Sequence, residues 1–132
     1  MIVAGLGCRK QCDVVDVLAA LDLALQRVGA QRSEVDALFT ADFKGHEPAL
    51  QQLATQLAKP LQSLSLEQLR AQEPHLHSPS AQVRQQVGVS SVSESAALAG
   101  ARTLSAQPAR LPHARSIVGG ATCALAMVEE TT

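Results

Sequence analysis

MIVAGLGCRKQCDVVDVLAALDLALQRVG, residues 1–29, contains the reading that decides the fold. Ile2 to Leu6 is an apolar stretch and predicts a buried strand. Gly5 and Gly7 cut the run, and Asp13 then opens an apolar stripe at Val14, Val17, Leu18, Leu21, Leu25 and Val28, the period of an amphipathic helix. Gly29 stands where a helix takes its left-handed closing residue. Strand, glycine turn and helix in succession form the opening unit of an α/β sheet. The apolar start is too short for a signal peptide or a membrane span and has no basic residue ahead of it, so it is read as a mature first strand.

Working outward, Val35 to Ala41 predicts a second strand and Asp42 to Glu47 a turn. Pro48 sits in the first turn of a helix that runs through Leu50, Leu53, Ala54 and Leu57 until Pro60 stops it. Leu61 to Leu64 is a short third strand. Three helix starts follow: Ser65 with Gln68 as a capping box, Ser78 ahead of Pro79, and Ser91 with Glu94 as a second capping box. Gly88 and Gly100 are read as the matching stops, and Arg102 to Ala106 as a strand. Gln107 to Ile117 is a basic, proline-containing connection, and Gly119-Gly120 lead into Ala121 to Val128, an apolar run suited to a central strand. The expectation is one domain, residues 1–132, of the α/β class: a mixed, mostly parallel sheet with helices on both faces.

The chain has 132 residues, 46% hydrophobic and 17% charged, with a formal net charge of -1. That balance gives no reason to expect a polyanion or a bilayer as partner. Tyr and Trp are absent and Phe occurs only at Phe39 and Phe43, which leaves almost no rings on which bases would stack, so nucleic acid is not expected. Three cysteines, Cys8, Cys12 and Cys123, with no export signal, predict reduced thiols and a cytoplasmic protein. Cys8 and Cys12 lack a second ligand pair, and His75 and His77 flank Leu76 in a loop, so neither metal nor cofactor is expected.

Gly5-Leu6-Gly7-Cys8-Arg9-Lys10 runs from a strand end to a helix start, where free backbone N–H groups and the helix dipole favour an anion. Its other reading is a tight turn with two solvated cations. A dinucleotide fingerprint would want a third glycine near Lys10, which disfavours a nucleotide-binding domain. Thr40 to Pro48 also follows a strand, at the edge where open α/β sheets bind ligands. Asp42 or Glu47 would serve there as general base with Lys44 or His46 as partner; alternatively the turn is charged and solvated. Cys8, beside Arg9, is either a nucleophile or a small packed side chain. Ser78, Ser80, Ser91 and Ser93 are better explained as helix caps than as nucleophiles. No acidic residue lies between Glu94 and Glu129, whereas Arg102, Arg110, His113 and Arg115 do, a cationic rim if the Gly119-Gly120 turn folds beside the first loop.

Four segments, GLGCRK from Gly5, TADFKGHEPAL from Thr40, SPSAQVRQQVGVSSVSESAAL from Ser78 and GGATCALA from Gly119, resemble in order and spacing the CobE/CbiG family of cobalamin biosynthesis. The likeness is to the C-terminal domain of cobalt-precorrin-5A hydrolase and to the standalone protein of the oxygen-dependent pathway, and it runs from Val3 to Ala126. It matches the family at Gly5, Gly7, Cys8 and Arg9, at Asp42, Lys44, Glu47 and Pro48, at Ser91 and Glu94, and at Gly119 to Thr122. The resemblance implies an α/β fold and a precorrin-type ligand held by Gly5, Gly7, Cys8, Arg9, Lys10, Ser91, Arg115, Gly119, Gly120 and Thr122, with Asp42, Lys44 and Glu47 as the catalytic set. The full hydrolase opens a lactone on the macrocycle and releases acetaldehyde. Two functions stay open at this point: an enzyme of that kind, or a carrier that passes an intermediate between other enzymes of the pathway. Either requires the first loop, the Asp42 turn and the Gly119 turn to share one cleft.

Overall fold

The computed structural model describes residues 1–44 and 46–129. Along the chain run β1 (Ile2–Cys8), α1 (Val14–Val28), β2 (Val35–Ala41), α2 (Pro48–Leu57), β3 (Leu61–Leu64), α3 (Leu66–Arg70), α4 (Ala81–Val87), α5 (Val92–Leu104), β4 (Ala109–Arg110), β5 (Ser116–Val118) and β6 (Ala121–Val128). The strands form one sheet in the order β3-β2-β1-β6-β4, with β5 also paired to β6. β1 is parallel to β2 and β2 to β3, while β6 is antiparallel to β1, β4 and β5. Every described strand except β6 therefore points the same way, which is the mixed, mostly parallel sheet that the alternation of elements predicts.

The period of two along a strand sorts side chains into two layers. From β1, Ile2, Ala4, Leu6 and Cys8 enter one layer with Val17, Leu21 and Leu25 of α1 and Leu50 and Leu53 of α2. Val3 enters the other with Ala96, Ala97 and Ala101 of α5 and Leu69 of α3. β6 divides likewise, Ala121, Cys123 and Leu125 against Ala124, Ala126 and Val128. With both faces covered, all of β1 is buried, which is why its sequence reads as a continuous apolar run.

The end signals of α1 and α3 act as read. The Asp13 carboxylate accepts from Val15 N at 3.0 Å, and Gly29 takes φ 69° at the far end of α1. Ser65 and Gln68 cap α3 reciprocally at 2.9 and 3.1 Å.

Four readings are corrected. Gly100 does not stop a helix: it lies inside α5, where a Cβ would collide with the buried Phe39 ring. Arg102 to Ala106 is not a strand, because α5 continues to Leu104 and Ser105 closes it. The helix ahead of Gly88 starts at Ser80, whose hydroxyl accepts from Val83 N at 3.3 Å, rather than at Ser78. Ser91 caps α5 by accepting from Glu94 N at 3.4 Å, but the Glu94 side chain does not return to it. In addition, the connection from Gln107 to Ile117 contains two short strands, β4 and the start of β5.

Gly5 sets the approach of α5 to the sheet: a Cβ there would strike the Ser93 carbonyl oxygen and the Ala97 amide, both backbone. Gly5→Ala is expected to lower the unfolding free energy in urea titration by about 2–3 kcal/mol. Gly29→Ala, whose added Cβ meets nothing within 4 Å, should cost only the left-handed backbone penalty of about 1 kcal/mol. Equal losses in the two variants would show that the close approach is not what Gly5 provides.

Candidate functional site

β1 and β2 end on the same edge of the sheet because they are parallel. β6, running against β1, begins on that edge: Gly7 pairs with Thr122 and Cys8 with Ala121. The Gly119-Gly120 turn is thereby laid against the first loop, and Arg9 N donates to the Gly120 carbonyl at 2.8 Å. A cleft of about 300 Å³ opens here. One wall is Gly7, Cys8 and Arg9, another is Gly119, Gly120 and Thr122, and the rest comes from Lys44, Arg115, Ile117, the start of α5 at Ser91 and Val92, and Gln82, Val83, Gln86 and Val87 of α4. The three turns do share one cleft.

Its charged lining among the described residues is Arg9, Lys44 and Arg115, with no carboxylate and no imidazole. The Asp16 carboxylate rests against Gly119 but is not part of the lining. Positive side chains and the N-terminal end of the 13-residue α5 thus face the same space, a field that attracts anions.

Arg115 is held in place by Glu94. Glu94 is fully buried, and its carboxylate accepts from three backbone amides: His77 N at 3.0 Å and Ser78 N at 2.9 Å on Oε1, and Arg115 N at 2.8 Å on Oε2. The Arg115 guanidinium in turn donates to the Ser78 carbonyl at 2.7 Å. One carboxylate therefore binds two segments, 77–78 and 115, to the first turn of α5. Glu73 performs a parallel task one step earlier, accepting from the Ser90 amide and hydroxyl.

The other sequence-derived candidates lie as follows. Gly5 is under α5 rather than in the cleft. Lys10 is exposed and next to the lining. Asp42 is exposed and outside it; Glu47, also outside, accepts from Gln11 N at 3.2 Å and so ties the second turn to the first loop. Of the basic stretch only Arg115 reaches the cleft: Arg102 donates to Gln72, and Arg110 and His113 are exposed. His77 donates from Nε2 to the Leu111 carbonyl at 2.7 Å. Among the described residues no three His, Cys, Asp or Glu are grouped to hold a metal, and no helix is long and apolar enough to cross a membrane.

Sequence reading missed the α4 wall. Its signal is the pairing of Gln82 with Gln86 and Val83 with Val87, each one helical turn apart on one face. The expectation of reduced thiols is corrected for two of the three cysteines: the turn after β1 brings the Cα atoms of Cys8 and Cys12 to 6.0 Å, within disulfide reach, and the two are joined. Cys123 is separate: burial in β6 pushes its thiol up to about 12.

Comparison with known proteins gives a consistent result. The family model described as "Cobalamin synthesis G C-terminus" matches residues 2–126. "Protein CobE" of Sinorhizobium sp. is 31% identical over 100 residues, 76% of this chain and 65% of the relative, so the match spans just under two thirds of that curated protein. The crystal structure of CobE, a protein from the cobalamin (vitamin B12) biosynthetic pathway, superposes with a TM-score of 0.91 at 40% identity, covering 98% of this chain and 93% of that one. The cobalamin biosynthesis protein chiG of Agrobacterium tumefaciens str. C58 gives 0.73 at 36% identity, covering 98% and 100%. A putative cobalamin biosynthesis protein G homolog from Sulfolobus solfataricus gives 0.70 at 18%, covering 97% of this chain and 37% of its own, a likeness that speaks to the fold alone.

Two outcomes follow from this geometry. Glu94→Gln places an amide nitrogen against one of the buried N–H groups, and is expected to destabilise the fold by about 2–3 kcal/mol, read from the urea midpoint; a loss under 1 kcal/mol would sink the tethering role. Cys123 bears on alkaline stability: its folded pKa lies above the unfolded value near 9, so the thiol's contribution is complete below pH 9 and is lost as pH rises toward about 12. Native protein should lose about 1.4 kcal/mol per pH unit in that window, and Cys123→Ala should remove that part of the slope.

Proposed function

Because the chain belongs to the cobalamin synthesis G C-terminal family, we propose that its cleft binds a precorrin-type tetrapyrrole intermediate of cobalamin biosynthesis by the carboxylates at the ligand's edge. The observation that carries this reading is the lining itself, Arg9, Lys44 and Arg115 with no opposing carboxylate among the described residues. Charge-assisted hydrogen bonds from guanidinium to carboxylate are strong and directional, and several at once suit a ligand bearing acetate and propionate arms. Lys10, beside the lining, adds to the field. Pockets for small molecules run from about 300 to 1,000 Å³, so a cleft of about 300 Å³ takes one edge of a macrocycle and leaves the rest of the ring outside. Val83, Val87, Val92 and Ile117 supply apolar surface next to the cations for the part of the ring that enters.

Holding the intermediate is favoured over hydrolysing it. A lactone opening wants a base within hydrogen-bond reach of the attacking water, and Asp42 and Glu47 both lie off the lining. Passing the ligand onward to another enzyme of the pathway needs only the edge-on grip and the exposed remainder of the ring.

Titration with precorrin intermediates, followed by absorbance, tests this. Arg9→Ala and Lys44→Ala are each expected to weaken binding about tenfold or more at low salt, with the loss narrowing as salt screens the exposed charges. Unchanged affinity in both variants means the cationic site is wrong. Acetaldehyde released on mixing would replace the carrier reading with hydrolysis and make Asp42 or Glu47 the base.

A further inference from the structure

Cys8 ends β1 and lines the cleft, and Cys12 immediately precedes the α1 cap Asp13. Their Cα atoms are 6.0 Å apart, inside the range of roughly 4.4–6.8 Å that a disulfide spans without moving the backbone. The closed ring carries Arg9, Lys10 and Gln11, and Arg9 is one of the three cations of the cleft. The backbone amides of this loop donate three described hydrogen bonds: Arg9 N to Gly120 O at 2.8 Å, Cys12 N to Arg9 O at 3.0 Å, and Gln11 N to the Glu47 carboxylate at 3.2 Å. Gln11 sits at φ 63°, a left-handed conformation that a residue with a Cβ seldom holds without outside support. A loop so placed needs a further constraint, and the covalent bond between its ends is one.

We propose that Cys8 and Cys12 form a reversible oxidation site, closed by a low-molecular-mass disulfide such as glutathione disulfide and opened by a dithiol, and that closure fixes Arg9 at the cleft. The regulatory half of this rests on the proposed ligand class; the oxidation itself does not. Cys12 is partly exposed and Cys8 only 5% exposed, so Cys12 is the sulfur that meets the reagent. Its thiolate attacks one sulfur of the incoming disulfide and expels one thiolate. The Cys8 thiolate then attacks the Cys12 sulfur of the mixed disulfide and expels the second. In sum two protein thiols lose two protons and two electrons, and the reagent becomes two thiols. Arg9 and Lys10, both exposed, offer positive charge to the carboxylates of glutathione. Cys123, fully buried in β6, cannot compete for either sulfur.

The test places the whole chain in glutathione buffers from fully reduced to fully oxidised, quenches with iodoacetamide and maps peptides by mass. Cys8 and Cys12 should lose their alkyl groups together in the oxidising buffers, and amide exchange at Arg9, Gln11 and Cys12 should slow in the same samples; Cys12→Ser should abolish both effects. Alkylation of both sulfurs at every buffer composition overturns the site. For the regulatory half the probe is uroporphyrin, an octacarboxylic porphyrin, which the closed form should bind about threefold to tenfold more tightly than the reduced form or Cys12→Ser. Equal affinity with the disulfide formed overturns the regulation and leaves the cationic site standing. No binding by either form counts against the ligand class, and the exchange rates then decide the loop: rates unchanged by closure overturn the lock.

Discussion

A single buried carboxylate holds the cleft together. Burying Glu94 without partners would cost several kcal/mol, and the fold offsets this with three backbone amides from two separate segments. The arrangement has a geometric consequence. A carboxylate at the first turn of α5 fixes where segments 77–78 and 115 can lie, and the guanidinium of Arg115 is then braced by the Ser78 carbonyl. The cation is presented from a wall that has no regular secondary structure of its own, which is why so much hydrogen bonding converges on it.

α5 can take this role because it lies unusually close to the sheet. Gly5 removes the side chain that would separate β1 from the backbone of Ser93 and Ala97, and Gly100 admits the Phe39 ring of β2. The face of α5 toward the sheet is otherwise small, Ala96, Ala97 and Ala101. Close approach brings the N-terminal end of the helix level with Gly7, Cys8 and Thr122, so the same small residues that pack the core also set the depth of the cleft.

Much of this was legible in the chain. β1, α1, β2, α2, β3 and β6 carry local signals, an apolar run or stripe with a cap or glycine at its end, and local signals survive folding. Gly100 was misread because a glycine near a helix end and a glycine beneath a ring look alike in sequence; what separates them is Phe39, sixty-one positions away by numbering. β4 and β5 were missed for a related reason: they are short, and β6 alone makes them strands. Glu94 shows how far a local rule extends. The serine half of the expected capping box is present, yet the glutamate is taken by amides 16 to 21 residues away, and no window around Ser91 contains that information. Lys44 and Arg9 were identifiable because they follow strand ends, whereas α4 enters the cleft only through tertiary packing.

The direction of β6 explains why two glycine turns so far apart in sequence meet at all. A strand entering the sheet parallel to β1 would bring its N-terminal end to the opposite edge, and a turn ahead of it would lie a full strand length from Gly7. β6 runs the other way, which places Ala121 opposite Cys8 and the Gly119-Gly120 turn against the first loop. The hairpin from β5 into β6 is what makes that reversal possible within a few residues. The reversal of this one strand, more than any single motif, turns the glycine loop after β1 into one wall of a cationic cleft; without it Arg9 would stand on an open sheet edge.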